Sequence, residues 1–582
     1  MLRSSRTVVS LLRSLVLSTA TTTTAMVLVT SSLVACQDES QPEYWVGKLD
    51  DATWKARAVK RLEQFFEDAV TKNGNDIKAQ GVQDVISKTV EPLTKAYVEG
   101  YDSLDTKTRV MLIKLLSSYR DKRAEPAFKK AFEQFIKTPA TAKDESDVKW
   151  AAQATGNLKL ESLATPMVEA FAKLRASTML GGVTYKDYLE AMLDMPSKSW
   201  VGPLIQRLEP EITPPGKDKA AVDPFRDQLY WQTTAARLLG VIGDPQAVEP
   251  LMKVVLDPTK GDVAPTAVTA LIKLGKPTVD AASKLLSGKD EKLAGFAMRR
   301  LKEVSGKEPS GTPYVATAAI ILGASGRSDA TPALIAAVGS EKDASTRAVM
   351  ARELAKVPAT EDSKAAFKTA FESLSLETTM PTGGSALEQL TEAAGQFFDP
   401  GMVPWLLERA AATKGGADDT KAFQAGVTQA VLKLAKPDQL GTVKAATDRY
   451  GSADIEQKLY KQVDTLVKAC GDRAACYVAA IQKSENQEQV NQFTGVKAGY
   501  MIAILGSDSA RDDLVAALPS ITNASVRYVA SLAIDRLTPK GSKAVTEKLN
   551  ALIAKNAKSA DRDKATGDEP LKTVLYRIDA RD

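Results

Sequence analysis

The chain of 582 residues carries 77 Lys and Arg against 72 Asp and Glu, three Cys and no His. The absence of histidine excludes a Ser-His-Asp triad, an imidazole zinc site and a phosphohistidine relay. The net charge is only +5, which argues against a basic surface for nucleic acid, so we expect no nucleic-acid partner. The aromatic content of 6% argues against β-structure.

The first 35 residues have the pattern of an export signal. Three arginines lie within the first 13 positions, and the run from Leu15 to Ala35 has no charged residue. The sequence Leu33-Val34-Ala35-Cys36 that ends this segment resembles the bacterial lipobox. That resemblance implies a diacylglyceryl group on Cys36 and cleavage before it. An ordinary secretory signal cleaved nearby is the alternative, whereas Thr21 to Thr24 make a stable transmembrane span less favourable.

The resemblance to a lipobox also implies a location. It predicts a lipoprotein of the bacterial cell envelope that faces the periplasm and is held at the membrane through the lipid on Cys36. By analogy with enteric sorting rules, Gln37 favours the outer membrane, while the acidic Asp38 counts against it. Loss of residues 1–35 removes three arginines and no acid, which lowers the net charge from +5 to +2.

Residues 36–104 are predicted as a tether and a cap. Residues 36–50 are polar and are expected to link the lipid to the first helix. Residues 51–104 are helical in pattern but match the later repeat poorly. This mismatch is expected of an N-terminal helical cap, because a cap faces water on one side.

A short phrase then recurs along the chain. Its clearest copy runs from Ala235 to Gly240, continues with Gly243-Asp244-Pro245 and ends with Pro250-Leu251. The periodicity predicts one helix over 228–239, ended by Gly240, and a second over 245–256 that begins with Asp and Pro. Two such helices form one antiparallel hairpin.

Similar hairpins are predicted over residues 105–555. We expect pairs at 105–137, 146–176, 184–209, 223–257, 262–288, 313–339, 342–374, 385–412, 419–448, 456–483, 493–518 and 523–555, with 290–312 as a lone helix and a loop. The repeated unit resembles the HEAT repeat, particularly its bacterial form, because it contains Leu-Gly, Gly-Asp-Pro and Pro-Leu in this order. The resemblance implies an all-α fold, an α-α superhelix of stacked hairpins with a concave inner surface. It also implies a ladder of basic residues and Asp, for which Arg347, Arg511 and Arg527 are candidates.

The two remaining cysteines are predicted to form a disulfide. Cys470 and Cys476 are separated by five residues in an exported chain, and a turn between helices can bring the thiols together. Two free thiols are the alternative. A metal site is not expected, because two thiols without histidine lack further ligands, and we expect no cofactor.

No pattern of residues selects a catalytic site. Carboxylates such as Glu388, Glu392 and Asp399 leave a carbohydrate-active α/α enzyme with paired acids open. No Gly-x-Ser-x-Gly elbow and no phosphate-binding loop is present. We therefore expect a non-enzymatic scaffold that binds protein partners on its concave surface, with the enzyme and a structural spacer as alternatives. A polar tail with a short helix is expected over 556–582.

Overall fold

The computed structural model describes residues 38–139, 147–176, 184–381, 383–484, 492–557 and 569–581. Cys36 and the predicted signal peptide lie outside these residues. Within the described ranges there are 29 α-helices and no β-strand, apart from one isolated bridge between Thr379 and Ser385. The chain divides into two compact units, Met1–Thr89 and Val90–Asp582.

The first unit contains α1, α2 and the first half of α3. These helices are α1 Pro42–Val46, α2 Lys55–Lys72 and α3 Gln80–Gly100. Residues 38–50 were expected to be a polar tether, but here they include α1. Trp45 is fully buried, with its indole Nε1 donating to the carbonyl of Glu39 at 2.8 Å. Burial of this aromatic side chain gives the segment a packed structure of its own.

The second unit is a succession of helices. They are α4 Thr106–Tyr119, α5 Glu125–Lys137, α6 Asp147–Leu158, α7 Ala164–Phe171, α8 Thr184–Asp194, α9 Val201–Leu208, α10 Val222–Ile242, α11 Val248–Leu256, α12 Ala264–Leu274, α13 Lys276–Leu286, α14 Glu291–Ser305, α15 Tyr314–Ser325, α16 Thr331–Ser340, α17 Ala344–Leu354, α18 Glu361–Glu372, α19 Ala386–Gly395, α20 Met402–Ala412, α21 Ala417–Leu434, α22 Leu440–Tyr450, α23 Glu456–Cys470, α24 Ala474–Ser484, α25 Gln492–Leu505, α26 Asp508–Ala517, α27 Ala524–Arg536, α28 Lys543–Ala557 and α29 Glu569–Asp579. Each of the twelve predicted pairs corresponds to two consecutive helices, and α14 is the predicted lone helix.

The clearest repeat differs from its prediction in one glycine. Gly240 was expected to end the first helix, but α10 continues to Ile242. The residue that ends the helix is Gly243, whose φ of 73° is accessible to glycine without a steric penalty. Asp244 then accepts a hydrogen bond from the amide of Gln246 at 2.9 Å, as predicted for the start of the second helix.

Gly240 instead permits a close approach between helices. An added Cβ would lie 2.7 Å from the Cα of Ala270 on α12. Four other helix glycines also lie close to a later helix. The pairs are Gly156 with Ala191, Gly323 with Glu353, Gly395 with Tyr500 and Gly499 with Val529. The Leu-Gly at 239–240 and at 322–323 therefore indicates sites at which stacked hairpins approach closely, since a methyl group does not fit there.

One layer of helices runs through the whole second unit. Contacts link α4, α6, α8, α10, α12, α15, α17, α19, α21, α25 and α27 in succession, while α16 with α18 and α24 with α26 belong to the other layer. Helices α15 and α25 are apolar on nearly all sides, as expected of buried helices. The layered stacking is that of an α-α superhelix.

The last helix closes part of this array on itself. Helix α29 packs against α27 and α28 and also against α12, about 300 positions earlier in the sequence. Arg577 donates to carbonyls of residues 323 and 324 at 3.2 and 2.8 Å, and Arg581 donates to the carbonyl of residue 326 at 2.8 Å. Asp535 on α27 pairs with both arginines, at 2.9 and 2.8 Å. The two arginines therefore provide hydrogen bonds to free carbonyls at the C-terminal end of α15. Because α29 contacts both α27 and α12, the succession of helices from α12 to α29 forms a closed circuit.

Candidate interaction surfaces

A groove with a volume of about 690 Å³ lies between α9, α11 and α14. We call it the α9–α14 groove. Its apolar lining consists of Ile205, Leu208, Pro250, Val254 and Phe296. Charged residues of both signs surround this lining: Glu209, Glu211, Lys253, Asp257, Lys260, Arg299, Arg300 and Glu303. An apolar depression with a charged rim is typical of surfaces that bind a partner's side chains.

An ionic network fixes the walls of the groove. Arg300 on α14 pairs with Asp257 after α11 at 3.1 Å, and with Glu211 and Glu303 at 2.6 Å each. Burial acts to lower the pKa of Arg300, but its hydrogen bonds to these carboxylates raise it above its ordinary value. The guanidinium therefore remains charged and holds α14 in place against α11.

The C-terminal end of α9 is fixed by a buried lysine. Lys260 donates to the carbonyl of Leu208 and lies 3.4 Å from that of Glu209. Burial lowers the pKa of Lys260. On the rim, Lys253 and Arg299 lie over the ring of Phe296, with their charged groups 5.8 and 5.7 Å from its centre. The aromatic ring of Phe296 is thus flanked by two cations.

Inside the closed part of the array, two smaller cavities remain. One of about 560 Å³ is lined by Glu392, Lys433, Tyr500 and Tyr528, among others. Burial lowers the pKa of Lys433 and raises that of Tyr500. The other has about 100 Å³ and lies beside Arg577 at the helix ends.

The acids that left a carbohydrate-active site open are not brought together as a catalytic pair. Glu388 and Glu392 are exposed on α19. Asp399 lies 2.6 Å from the Nζ of Lys364. Burial acts to raise the pKa of Asp399, but hydrogen bonds from Lys364 and Gly401 hold it below its ordinary value. The lowered pKa favours the ionised form of Asp399, as its salt bridge to Lys364 requires.

The predicted ladder arginines take other partners. Arg347 bonds to the carbonyl of Glu341 at 3.2 Å, and Arg527 to that of Ile521 at 2.8 Å. Arg511 pairs within its own helix with two aspartates and reaches the carbonyl of Leu537. All three side chains reach backbone carbonyls at the ends of helices or in loops. They therefore serve as caps of helix and loop ends.

A ladder does exist in the first part of the array, formed by residues that the sequence did not identify. Arg109 on α4 pairs with Asp147 on α6 at 2.7 Å, and Lys149 on α6 pairs with Asp187 on α8 at 2.9 Å. Arg175 and Asp227 continue the series. Each pair joins one hairpin to a later one.

The structure places the sulfurs of Cys470 and Cys476 at bonding distance, 2.00 Å, with Cα atoms 5.4 Å apart. They flank the turn between α23 and α24, where Tyr477 donates to the carbonyl of Gly471 at 2.8 Å. Within the described ranges, no group of three or more Cys, Asp and Glu side chains could hold a metal ion. No helix among these residues is both long and apolar enough to cross a bilayer.

Comparison with known proteins supports the repeat assignment. The PBS lyase HEAT-like repeat family matches residues 231–257. No curated protein matches the sequence. Similar solved structures include Kap121p, with 12% identity over 91% of this chain and 69% of that chain and a TM-score of 0.33. A Kap121p mutant has 11% identity, the same coverage and a TM-score of 0.36. Importin beta has 11% identity over 92% of this chain and 84% of that chain, with a TM-score of 0.27.

Likenesses at these values carry no conclusion about activity or partners. The fold follows from the chain itself: consecutive antiparallel helices, close packing of successive pairs at the recurrent glycines, and a repeat that a HEAT-like family matches at its clearest copy. The protein is an all-α, α-α superhelix that contains a HEAT-like repeat over residues 231–257.

Proposed function

We propose that this protein is a non-enzymatic scaffold of the bacterial cell envelope that is held at the periplasmic face of a membrane, most simply the outer membrane, by lipid on Cys36 and that binds protein partners. The lipobox-like Leu33-Val34-Ala35-Cys36 supports the anchoring. Arrays of stacked hairpins commonly present extended binding surfaces, which supports the scaffold role.

The observation that carries the binding role is the α9–α14 groove. Its apolar lining and its rim of both charges suit an amphipathic segment of a partner protein that inserts apolar side chains between α9 and α14. The Arg300 network keeps the groove formed before a partner arrives, which lowers the cost of binding. We therefore place a binding surface of the array at this groove.

A photo-crosslinking residue in place of Arg299 tests the groove in intact cells. The control carries the same residue in place of Lys137, which is exposed and lies outside the groove. We expect one discrete adduct from position 299 and its loss in Phe296→Ala, because truncation of the ring removes the apolar contact. Val304→Ala on the same helix is the matched truncation, since Val304 is 52% exposed and outside the lining. Equal adducts from both positions, or an adduct indifferent to Phe296→Ala, would refute the assignment.

Lipidation is tested separately on protein recovered from membranes. The N-terminal peptide is expected to begin at residue 36 and to carry the mass of acyl chains. Cys36→Ala is expected to move the protein into the soluble fraction, because several acyl chains provide the anchoring energy at about 0.8 kcal/mol per buried methylene. An unmodified N-terminal peptide that begins elsewhere would contradict the anchor.

A further inference from the structure

A group of cations lies against aromatic rings in the first unit. The Nζ of Lys48 is 5.3 Å from the centre of the Tyr44 ring and 5.9 Å from that of Trp54. The guanidinium of Arg57 lies 5.1 Å from the Trp54 ring, and that of Arg61 is stacked over Trp45. We call Tyr44, Lys48, Trp54, Arg57 and Arg61 the cation–aromatic face. Stacking on the rings holds each cation in place while leaving N–H groups free at its edge.

The three cations of this face form no ion pair within the described residues, and Arg61 donates to the side chain of Gln64 at 2.9 Å. The exposed residues of α2 before Glu67 are uncharged or basic. Glu63 is half-buried on the same helix, and Asp50 and Asp51 precede the helix. The opposite side of α2 is buried. The outward side of its first turns therefore offers unpaired donors to an anionic partner.

The position of the face along the chain indicates which anion it meets. Helix α1 begins at Pro42, six residues after Cys36. Six residues span at most about 20 Å even when fully extended. If lipid on Cys36 lies in the bilayer, the face lies within a short distance of the headgroups. Tyr and Trp prefer this interfacial zone, and cations near an anionic leaflet are attracted to it.

We propose that the cation–aromatic face rests on the anionic headgroup layer of the membrane that holds the lipid. This inference rests on the proposed anchoring and adds to it a second, electrostatic contact that orients the first unit against the bilayer. A single lipid attachment leaves the protein free to turn about its tether. A second contact restricts that rotation, in keeping with the general need for two signals in stable membrane attachment.

The test uses the unlipidated full-length mature chain, Cys36→Ala, so that binding does not depend on acyl chains. Its sedimentation with phosphatidylcholine vesicles that contain phosphatidylglycerol is compared with that on pure phosphatidylcholine. We expect binding to the anionic vesicles only, weakening with added salt. Lys48→Gln, Arg57→Gln and Arg61→Gln together should lower the affinity about a hundredfold, at about fivefold per cation.

The control removes the same charge elsewhere, by Lys107→Gln, Lys289→Gln and Lys307→Gln at exposed positions of the second unit. Its affinity is expected to remain close to that of the parent chain. An equal loss in both triple variants would show an effect of net charge alone and would overturn the proposal, as would equal binding to both kinds of vesicle. Failure to find lipid on Cys36 would instead refute the proposed anchoring, and it is measured independently by mass spectrometry.

Discussion

Gly240→Ala tests the close packing of successive hairpins. The added Cβ would lie 2.7 Å from the Cα and 2.8 Å from the Cβ of Ala270. The nearest atoms belong to the backbone and to a short side chain on a packed helix, so they cannot turn away as the end of a flexible side chain could. Overpacking of this kind costs roughly 1–3 kcal/mol.

Helix propensity acts in the opposite direction. Alanine is favoured over glycine in a helix interior by about 1 kcal/mol. Gly295→Ala on α14 is the matched control, since an added Cβ there meets no atom within 4 Å. The control should gain about 1 kcal/mol. The difference between the two variants isolates the steric effect, and we expect Gly240→Ala to be the less stable by about 1–3 kcal/mol.

The assay is urea unfolding followed by circular dichroism, with hydrogen exchange over residues 222–274 to locate the loss. Ala270→Gly should rescue Gly240→Ala only partly, because the contact with the Cα remains. Equal stability of Gly240→Ala and Gly295→Ala would refute the reasoning. It would mean that the recurrent Leu-Gly has no role in stacking.

Three further predictions concern buried polar groups and the thiols. Burial lowers the pKa of Lys497 from 10.5 to about 7. Between these pH values the unfolded chain binds more protons than the folded chain, so the melting temperature should rise from pH 7 to pH 10. Lys497→Met should reduce that rise. Asp147→Ala leaves Arg109 and the hydroxyl of Tyr97 without their acceptor. In urea titrations the free energy of unfolding should fall by about 3–5 kcal/mol. An unchanged value would exclude a structural role for the Arg109–Asp147 ion pair. In unreduced Cys36→Ala protein, alkylation should detect no free thiol, and a count of two would show that Cys470 and Cys476 are unpaired.

The helical pairs could be predicted because their information is local. Apolar spacing, Gly and Asp-Pro at the helix ends appear within one hairpin, and these features suffice to place α10 and α11. The role of Gly240 could not be assigned in the same way. A glycine near a helix end can terminate the helix or permit close packing, and only the position of Ala270 on another helix distinguishes these roles.

The contacts that link distant parts of the chain were not predictable from one sequence. Arg109 and Asp147 are 38 residues apart, and Arg577 lies 253 residues from the carbonyl of Ala324. Nothing in the local pattern around Arg577 distinguishes it from the many exposed basic residues on helices. The closed circuit follows from the curvature accumulated over many stacked pairs.

Closure of the circuit is the central claim, because it joins α29 to a helix, α12, that lies far from it in the sequence. It is tested by Gly275→Cys with Ala580→Cys in the Cys36→Ala chain, since an added Cβ at Gly275 would lie 3.7 Å from that of Ala580, a separation suited to a disulfide. Gly288→Cys with Ala580→Cys is the matched control, because Gly288 has a similar φ of 69° but no neighbour within 4 Å. Mild oxidation followed by mass spectrometry should detect the 275–580 disulfide and no 288–580 disulfide. Absence of the first, or equal formation of both, would contradict the packing of α29 against the C-terminal end of α12.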